Sequence, residues 1–194
     1  SNGTVYTGDI TGTFNTSDYT NVIDVLDIKS ARIGTKVTTL GDSLFKASSY
    51  TWSDLESVTI PDSVTAINTQ AFYNCGKLLS VTIPDNVTHI GKYAFNSCES
   101  LQTVSIPGGV TNFERYGQSR QFWGCVGLTS VTIGEGITII PMEMFASCSS
   151  LHSVTLPDSL ITIASSAFSY CTALTTLNLN EGLQNIDGRA LNGA

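Results

Sequence analysis

Between Leu55 and Lys77 the chain reads LESVTIPDSVTAINTQAFYNCGK, and its apolar positions keep neither a helical period nor a strict alternation. Leu55, Val58 and Ile60 are spaced by three and two, whereas Val64, Ile67, Ala71 and Phe72 follow three and four. The next stretch, LLSVTIPDNVTHIGKYAFNSCES from Leu78 to Ser100, repeats the same pattern. A mixed pattern that recurs at a fixed period marks a stacked array rather than one helix or strand. The template is L-x-x-V-x-I-P-x-x-V-x-x-I-x-x-x-A-F-x-x-C-x-x, with copies starting at Ile28, Leu55, Leu78, Leu101, Leu128, Leu151 and Leu174. Each apolar position then becomes a column. One runs Val37, Val64, Val87, Val110, Ile137, Leu160, Leu183, and another Leu40, Ile67, Ile90, Phe113, Ile140, Ile163, Ile186. The aromatic column is Phe45, Phe72, Phe95, Phe122, Phe145, Phe168, ending in Leu191.

Within a unit, L-x-x-V-x-I predicts a short strand with β-branched residues facing inward. Pro61-Asp62-Ser63 and Pro84-Asp85-Asn86 supply turn chemistry, because proline presets φ and Asp or Asn tolerates the bend. The A-F-x-x-C portion, with partners three and four apart, predicts a short helical or 3-10 segment. One unit cannot bury its own apolar face; stacked units bury a continuous core.

Composition changes this picture little. The 194 residues are 41% hydrophobic and 13% charged, which fits a sizeable core and not a disordered chain. Nine Lys and Arg against 16 Asp and Glu give a formal charge of -7, unsuited to a phosphate backbone, so no nucleic-acid partner is expected. No apolar run approaches the ~20 residues of a membrane span. No signal peptide is present, although a start at Ser1-Asn2-Gly3 is compatible with a leader already removed. The cysteines Cys75, Cys98, Cys125, Cys148 and Cys171 lie 23, 27, 23 and 23 apart, with no close pair of the kind zinc sites use.

The repeated residues resemble the leucine-rich repeats of the BspA-like (Treponema pallidum type) family, over 28–194. The resemblance implies an α/β-type repeat solenoid, with a curved parallel sheet on the concave side and short helical or 3-10 segments on the convex side. It also implies proteins secreted from or displayed on host-associated bacteria, with a few in protozoan parasites, some of them adhesins for extracellular matrix proteins. Residues 1–27 do not fit the template and are expected to form an N-terminal cap, with or without a degenerate repeat. Residues 28–194 are expected to form seven repeats of about 23 residues, the last truncated or acting as a C-terminal cap.

Candidate chemistry is sparse. Gly41-Asp42-Ser43-Leu44 matches the nucleophile block of a hydrolase family, but the D-x-x-H block that family needs is missing. The repeat explains the same letters, with Leu44 in the slot before Phe45. The cysteine slot also holds Ser48 and Ala194, so a small buried side chain suffices there. The acidic row Asp62, Asp85, Glu135, Asp158, Glu181, interrupted at Gly108, places one carboxylate per unit and does not converge as a metal site requires. No enzyme, metal or cofactor is therefore expected. Outward strand positions are almost all hydroxylic: one column is Ser30, Ser57, Ser80, Thr103, Ser130, Ser153, Thr176, and the next Arg32, Thr59, Thr82, Ser105, Thr132, Thr155, Asn178. A regular hydroxyl grid also suits ice binding, but mixed Ser and Thr on a curved surface argue against it. The period grows to 27 at two places. The first carries Trp52; the second carries Arg115, Tyr116, Arg120 and Trp123. Insertions in repeat proteins become loops, and Arg, Tyr and Trp are the residue types of interface anchors. Ligand contacts are therefore expected at Trp52, Arg115, Tyr116, Arg120 and Trp123, with the column from Arg32 and Thr59 to Thr155 as the accompanying face. The expected function is a non-catalytic module, secreted or on the cell surface, that binds a host protein or glycoprotein. The alternative is a structural spacer.

Overall fold

The computed structural model describes residues 3–6, 12–14, 28–47, 52–114 and 117–194. In chain order the strands are β1 (Gly3–Tyr6), β2 (Gly12–Phe14), β3 (Ile28–Arg32), β4 (Val37–Leu40), β5 (Ser57–Thr59), β6 (Ala66–Ile67), β7 (His89–Ile90) and β8 (Thr103–Ile106). They continue as β9 (Ser130–Ile133), β10 (Ile139–Ile140), β11 (Ser153–Thr155), β12 (Thr162–Ile163) and β13 (Asn185–Ile186). Every pairing among them is parallel. The sequence units, numbered as coils one to seven from Ile28, contribute to two ladders, coil seven to the second alone.

The first ladder contains β1-β3-β5 and β8-β9-β11, with Arg32 opposite Thr59 and Ser105 opposite Thr132. The second contains β2-β4-β6-β7 and β10-β12-β13, formed by the V-T-x-I stretch of each unit. Strands β1 and β2, within 1–27, pair with β3 and β4 and so stack on coil one. The rest of 1–27 lies outside the described residues.

The expected helical side is not observed: no helix or 3-10 segment occurs among the described residues, and A-F-x-x-C is a chain of turns. The cause is a left-handed residue at two points of coils two to six, and at the first of them in coil one. Ser43, Gln70, Tyr93, Arg120, Glu143 and Ser166, just before the A-F pair, have φ of 49 to 58°. Asn74, Ser97, Gly124, Ser147 and Tyr170, just before the cysteine, have φ of 56 to 71°. A helix cannot pass through such a residue. The freed amides bond between coils instead: Gln70, Phe72 and Asn74 donate to the carbonyls of Lys92, Ala94 and Asn96 at 2.9, 2.7 and 2.8 Å. Backbone groups that a helix would pair internally are thus satisfied by the neighbouring coil.

The core is one cluster of columns. The rings of Phe45, Phe72, Phe95, Phe122, Phe145 and Phe168 stack nearly parallel, with centroids 5.0–5.5 Å apart and planes within 15°. Such contacts add ~0.5–1.5 kcal/mol each beyond burial. Trp52 meets Phe45 edge-on at 4.7 Å and 79°.

Candidate binding surfaces

The five thiols are core, as their slot requires. Each donates to the carbonyl of the phenylalanine one coil back: Cys75 to Phe45 at 2.9 Å, Cys98 to Phe72 at 3.3 Å, Cys125 to Phe95 at 3.2 Å, Cys148 to Phe122 at 3.2 Å and Cys171 to Phe145 at 3.1 Å. Burial pushes Cys75, Cys125 and Cys171 up to about 12 and holds Cys98 and Cys148 well above the usual thiol range. The nucleophilic thiolate is therefore scarce near neutrality. Ser43 bonds Gln70 Oε1 at 3.3 Å, whereas His89 lies beside Glu114 and His152 beside the Ser150 carbonyl. The acidic row serves turns in part: Glu135 accepts the amides of Asp158 and Ser159 at 2.9 and 3.3 Å. Among the described residues no three His, Cys, Asp or Glu side chains are grouped as a metal site would need.

Of the expected ligand residues, Trp52 requires correction. It is 1% exposed and packs edge-on against Phe45, so its large apolar surface goes to the core. Arg115 and Tyr116 lie outside the described residues. Arg120 and Trp123 are half-buried and adjacent, the guanidinium 5.6 Å from the indole centroid and its Nε bonded to the Glu143 carboxylate. Arg32, Thr59, Thr82, Ser105, Thr132 and Thr155 are all exposed along the first ladder, in one row.

The insertion is built into its neighbours at both ends. Phe113 fills the isoleucine column at 1% exposure. Glu114 Oε2 accepts from the Lys92 amide at 3.2 Å and the Thr69 hydroxyl at 3.4 Å, and His89 Nε2 lies 3.5 Å from Oε1. Gln121, fully buried in the slot of an alanine, donates to the Phe113 carbonyl at 2.8 Å.

The structure also groups residues that the repeat pattern did not single out. Every described aromatic side chain outside the core lies on the turn side: Tyr73, Tyr93, Trp123 and Tyr170. Lys46 sits 5.0 Å above the Tyr73 ring and donates to Gln70 at 3.1 Å. The signal was available: the slots of Gln70, Tyr93 and Arg120, or Tyr73 and Trp123, change residue type from unit to unit while their neighbours stay fixed.

The first ladder is also interrupted. Between coils two and three it is reduced to the single bridge Ser57–Ser80, and Val81, Thr82 and Ile83 belong to no strand. A groove of about 310 Å³ lies between these residues and coil four, lined by Val81, Thr82, Ile83, Asp85, Thr103, Val104, Ser105 and Pro107.

The BspA type leucine rich repeat region, as a family model, matches this chain in six copies over residues 24–117 and 117–194. A leucine rich cell surface protein from Faecalibacterium prausnitzii is 37% identical, with a TM-score of 0.69, over 84% of this chain and 44% of its own. A leucine-rich repeat protein from Eubacterium ventriosum is 29% identical, with a TM-score of 0.70, over 85% of this chain and 42% of its own. The leucine-rich repeat protein of T. pallidum, 20% identical with a TM-score of 0.68 over 93% of this chain and 79% of its own, shares the fold. No curated protein matches. The chain spans less than half the length of the first two solved relatives. With two parallel ladders, a phenylalanine stack and a family match across nearly all of 24–194, this chain belongs to the BspA-type leucine-rich repeat family.

Proposed function

We propose that the chain is a non-catalytic protein-binding module of a surface-displayed or secreted bacterial protein, engaging a host protein or glycoprotein. The observation that carries this reading is the pairing of Arg120 with Trp123 at the insertion, on the same side as Tyr73 and Tyr93. These are hot-spot residue types, held by their own neighbours before any partner arrives. The cell-surface relative from Faecalibacterium prausnitzii supports the location. No helix of the described residues is long and apolar enough to cross a membrane. Arg115 and Tyr116 of the same insertion are proposed as further contacts, and the hydroxyl row from Thr59 to Thr155 as polar rim contacts.

The test is biolayer interferometry of the purified chain against fibronectin, fibrinogen, laminin, collagen and mucin at physiological salt. Saturable binding to one of them is expected. Arg120→Ala with Trp123→Ala should weaken it by about 30-fold or more, matching a loss of about 2 kcal/mol. Unchanged affinity in that double variant, with Arg115→Ala/Tyr116→Ala equally silent, would remove the insertion from the interface. A second reading, a spacer, draws on the first ladder: its described outward side chains are mostly Ser and Thr and include no aromatic ring. Absence of binding across the panel favours it.

A further inference from the structure

The groove in the first ladder is not a product of poor strand sequence. Coil three reads LLSVTIPDN and coil two LESVTIPDS, yet coil two carries β5 and coil three carries no strand of this ladder. Coil four differs toward its two neighbours. Coils four and five are drawn together where glycine meets glycine: Gly134 donates to the Ile106 carbonyl at 2.8 Å, and a Cβ at Gly136 would sit 3.0 Å from the Gly108 carbonyl oxygen. Coil four is thus paired along its strand with coil five, whereas toward coil three it forms no strand pairing in this ladder. The opening is pinched at both ends. At one end Gln102 donates to the Leu79 carbonyl at 3.4 Å; at the other a Cβ added at Gly109 would lie 3.4 and 3.6 Å from the carbonyl oxygens of Asp85 and Val87.

Like those of Thr59, Thr132 and Thr155, the hydroxyls of Thr82, Thr103 and Ser105 make no hydrogen bond to another described residue, nor does the Asp85 carboxylate, and in the groove they converge with it. They ring a short apolar floor of Val81, Ile83, Val104 and the Pro107 ring.

We propose that this groove binds one neutral sugar ring of a glycan carried by a glycoprotein. Its size falls at the low end for small-molecule sites, enough for one ring. Hydroxyls that both donate and accept match a polyol, and a carboxylate forms the stronger, charge-assisted bonds to sugar hydroxyls. No basic side chain lines it, which disfavours anions, and the pinched ends do not admit a running peptide strand. The proposal rests on the binding-module reading but uses a different surface from Arg120 and Trp123.

The test is saturation-transfer NMR of the chain with galactose, N-acetylglucosamine, fucose and mannose in turn. At least one sugar is expected to give a signal that Asp85→Ala or Thr103→Ala/Ser105→Ala weakens about tenfold in affinity. Asp62→Ala, the equivalent turn residue beside no groove, should keep it. Two results overturn the site: no signal from any of the four sugars, or equal signals from Asp85→Ala and Asp62→Ala. Binding of mucin should also fall after enzymatic deglycosylation, and mucin binding indifferent to that treatment overturns the glycoprotein source. Arg120→Ala/Trp123→Ala should leave the sugar signal intact. Protein-panel binding that survives without any sugar signal overturns the groove alone.

Discussion

At the scale of single residues, two columns dominate and both make sharp predictions. Phe95 is fully buried between Phe72 and Phe122, so Phe95→Ala should cost about 3–5 kcal/mol, read from chemical denaturation. The cysteine column makes stability depend on alkaline pH. An unfolded thiol titrates near 9.0, whereas buried Cys125 is pushed up to about 12. Above the unfolded value the unfolded chain releases a proton that the folded chain retains, so stability is intact below 9.0 and falls as pH rises toward 12. Cys125→Ala should flatten that fall by about 1.4 kcal/mol per pH unit, measured as the pH dependence of the unfolding free energy. The inward residues were legible in the sequence because burial imposes one residue type per column. Trp52 was not, because an aromatic residue in an insertion has the same composition whether it caps a core or faces a partner. Only the ring of Phe45 beneath it decides.

At the scale of elements, the repeat announced its first strand and its proline turn but concealed the second ladder and the turn side. V-T-x-I exposes only one or two residues between buried ones, too few for a visible alternation. A-F-x-x-C has helical spacing yet is broken by left-handed residues, and Gln70, Tyr93, Arg120 and Glu143 are not types that advertise that conformation. Asn74, Ser97 and Gly124 were the better clue. The break in the acidic row at Gly108 has a steric cause. A Cβ there would land on the Glu135 carbonyl oxygen, because the backbones of coils four and five touch. Gly108→Ala should therefore destabilise the fold by about 1–3 kcal/mol, against a near-neutral Gly109→Ala, whose Cβ would meet only ordinary contacts at 3.4 and 3.6 Å. Thermal melting of the two variants side by side checks this. Of the candidate sites, the insertion was found from its length. The turn-side tyrosines and the groove depend on packing between coils, which no single unit encodes.

At the scale of the whole molecule, stability is a sum over neighbouring coils rather than a property of one closed core. The turn-side amides give that stack a direction. Ser43, Phe45 and Ala47 donate forward to Thr69, Ala71 and Tyr73, and the same forward sense recurs at Tyr93, Phe95 and Ser97 and at Glu143, Phe145 and Ser147. Each of these peptide units points its carbonyl toward coil one and its N–H toward coil seven, so their dipoles add along the stack as they do in an α-helix. The turn side thus carries an electrical polarity along the axis, positive at its coil-seven end, whereas ladder-side amides such as Glu56, Thr65 and Leu79 donate backward to Lys29, Thr38 and Glu56 and oppose it. Arg189 occupies the last slot of the Ser43 column, and its amide is received by the Asp187 carboxylate at 3.3 Å. Asp187→Lys should lower the melting temperature by about 2 °C at low ionic strength, and the difference should shrink as salt is added. For an approaching ion, the turn-side edge of the stack behaves like one long dipole whose two ends differ in sign, set beside an opposing one on the ladder side.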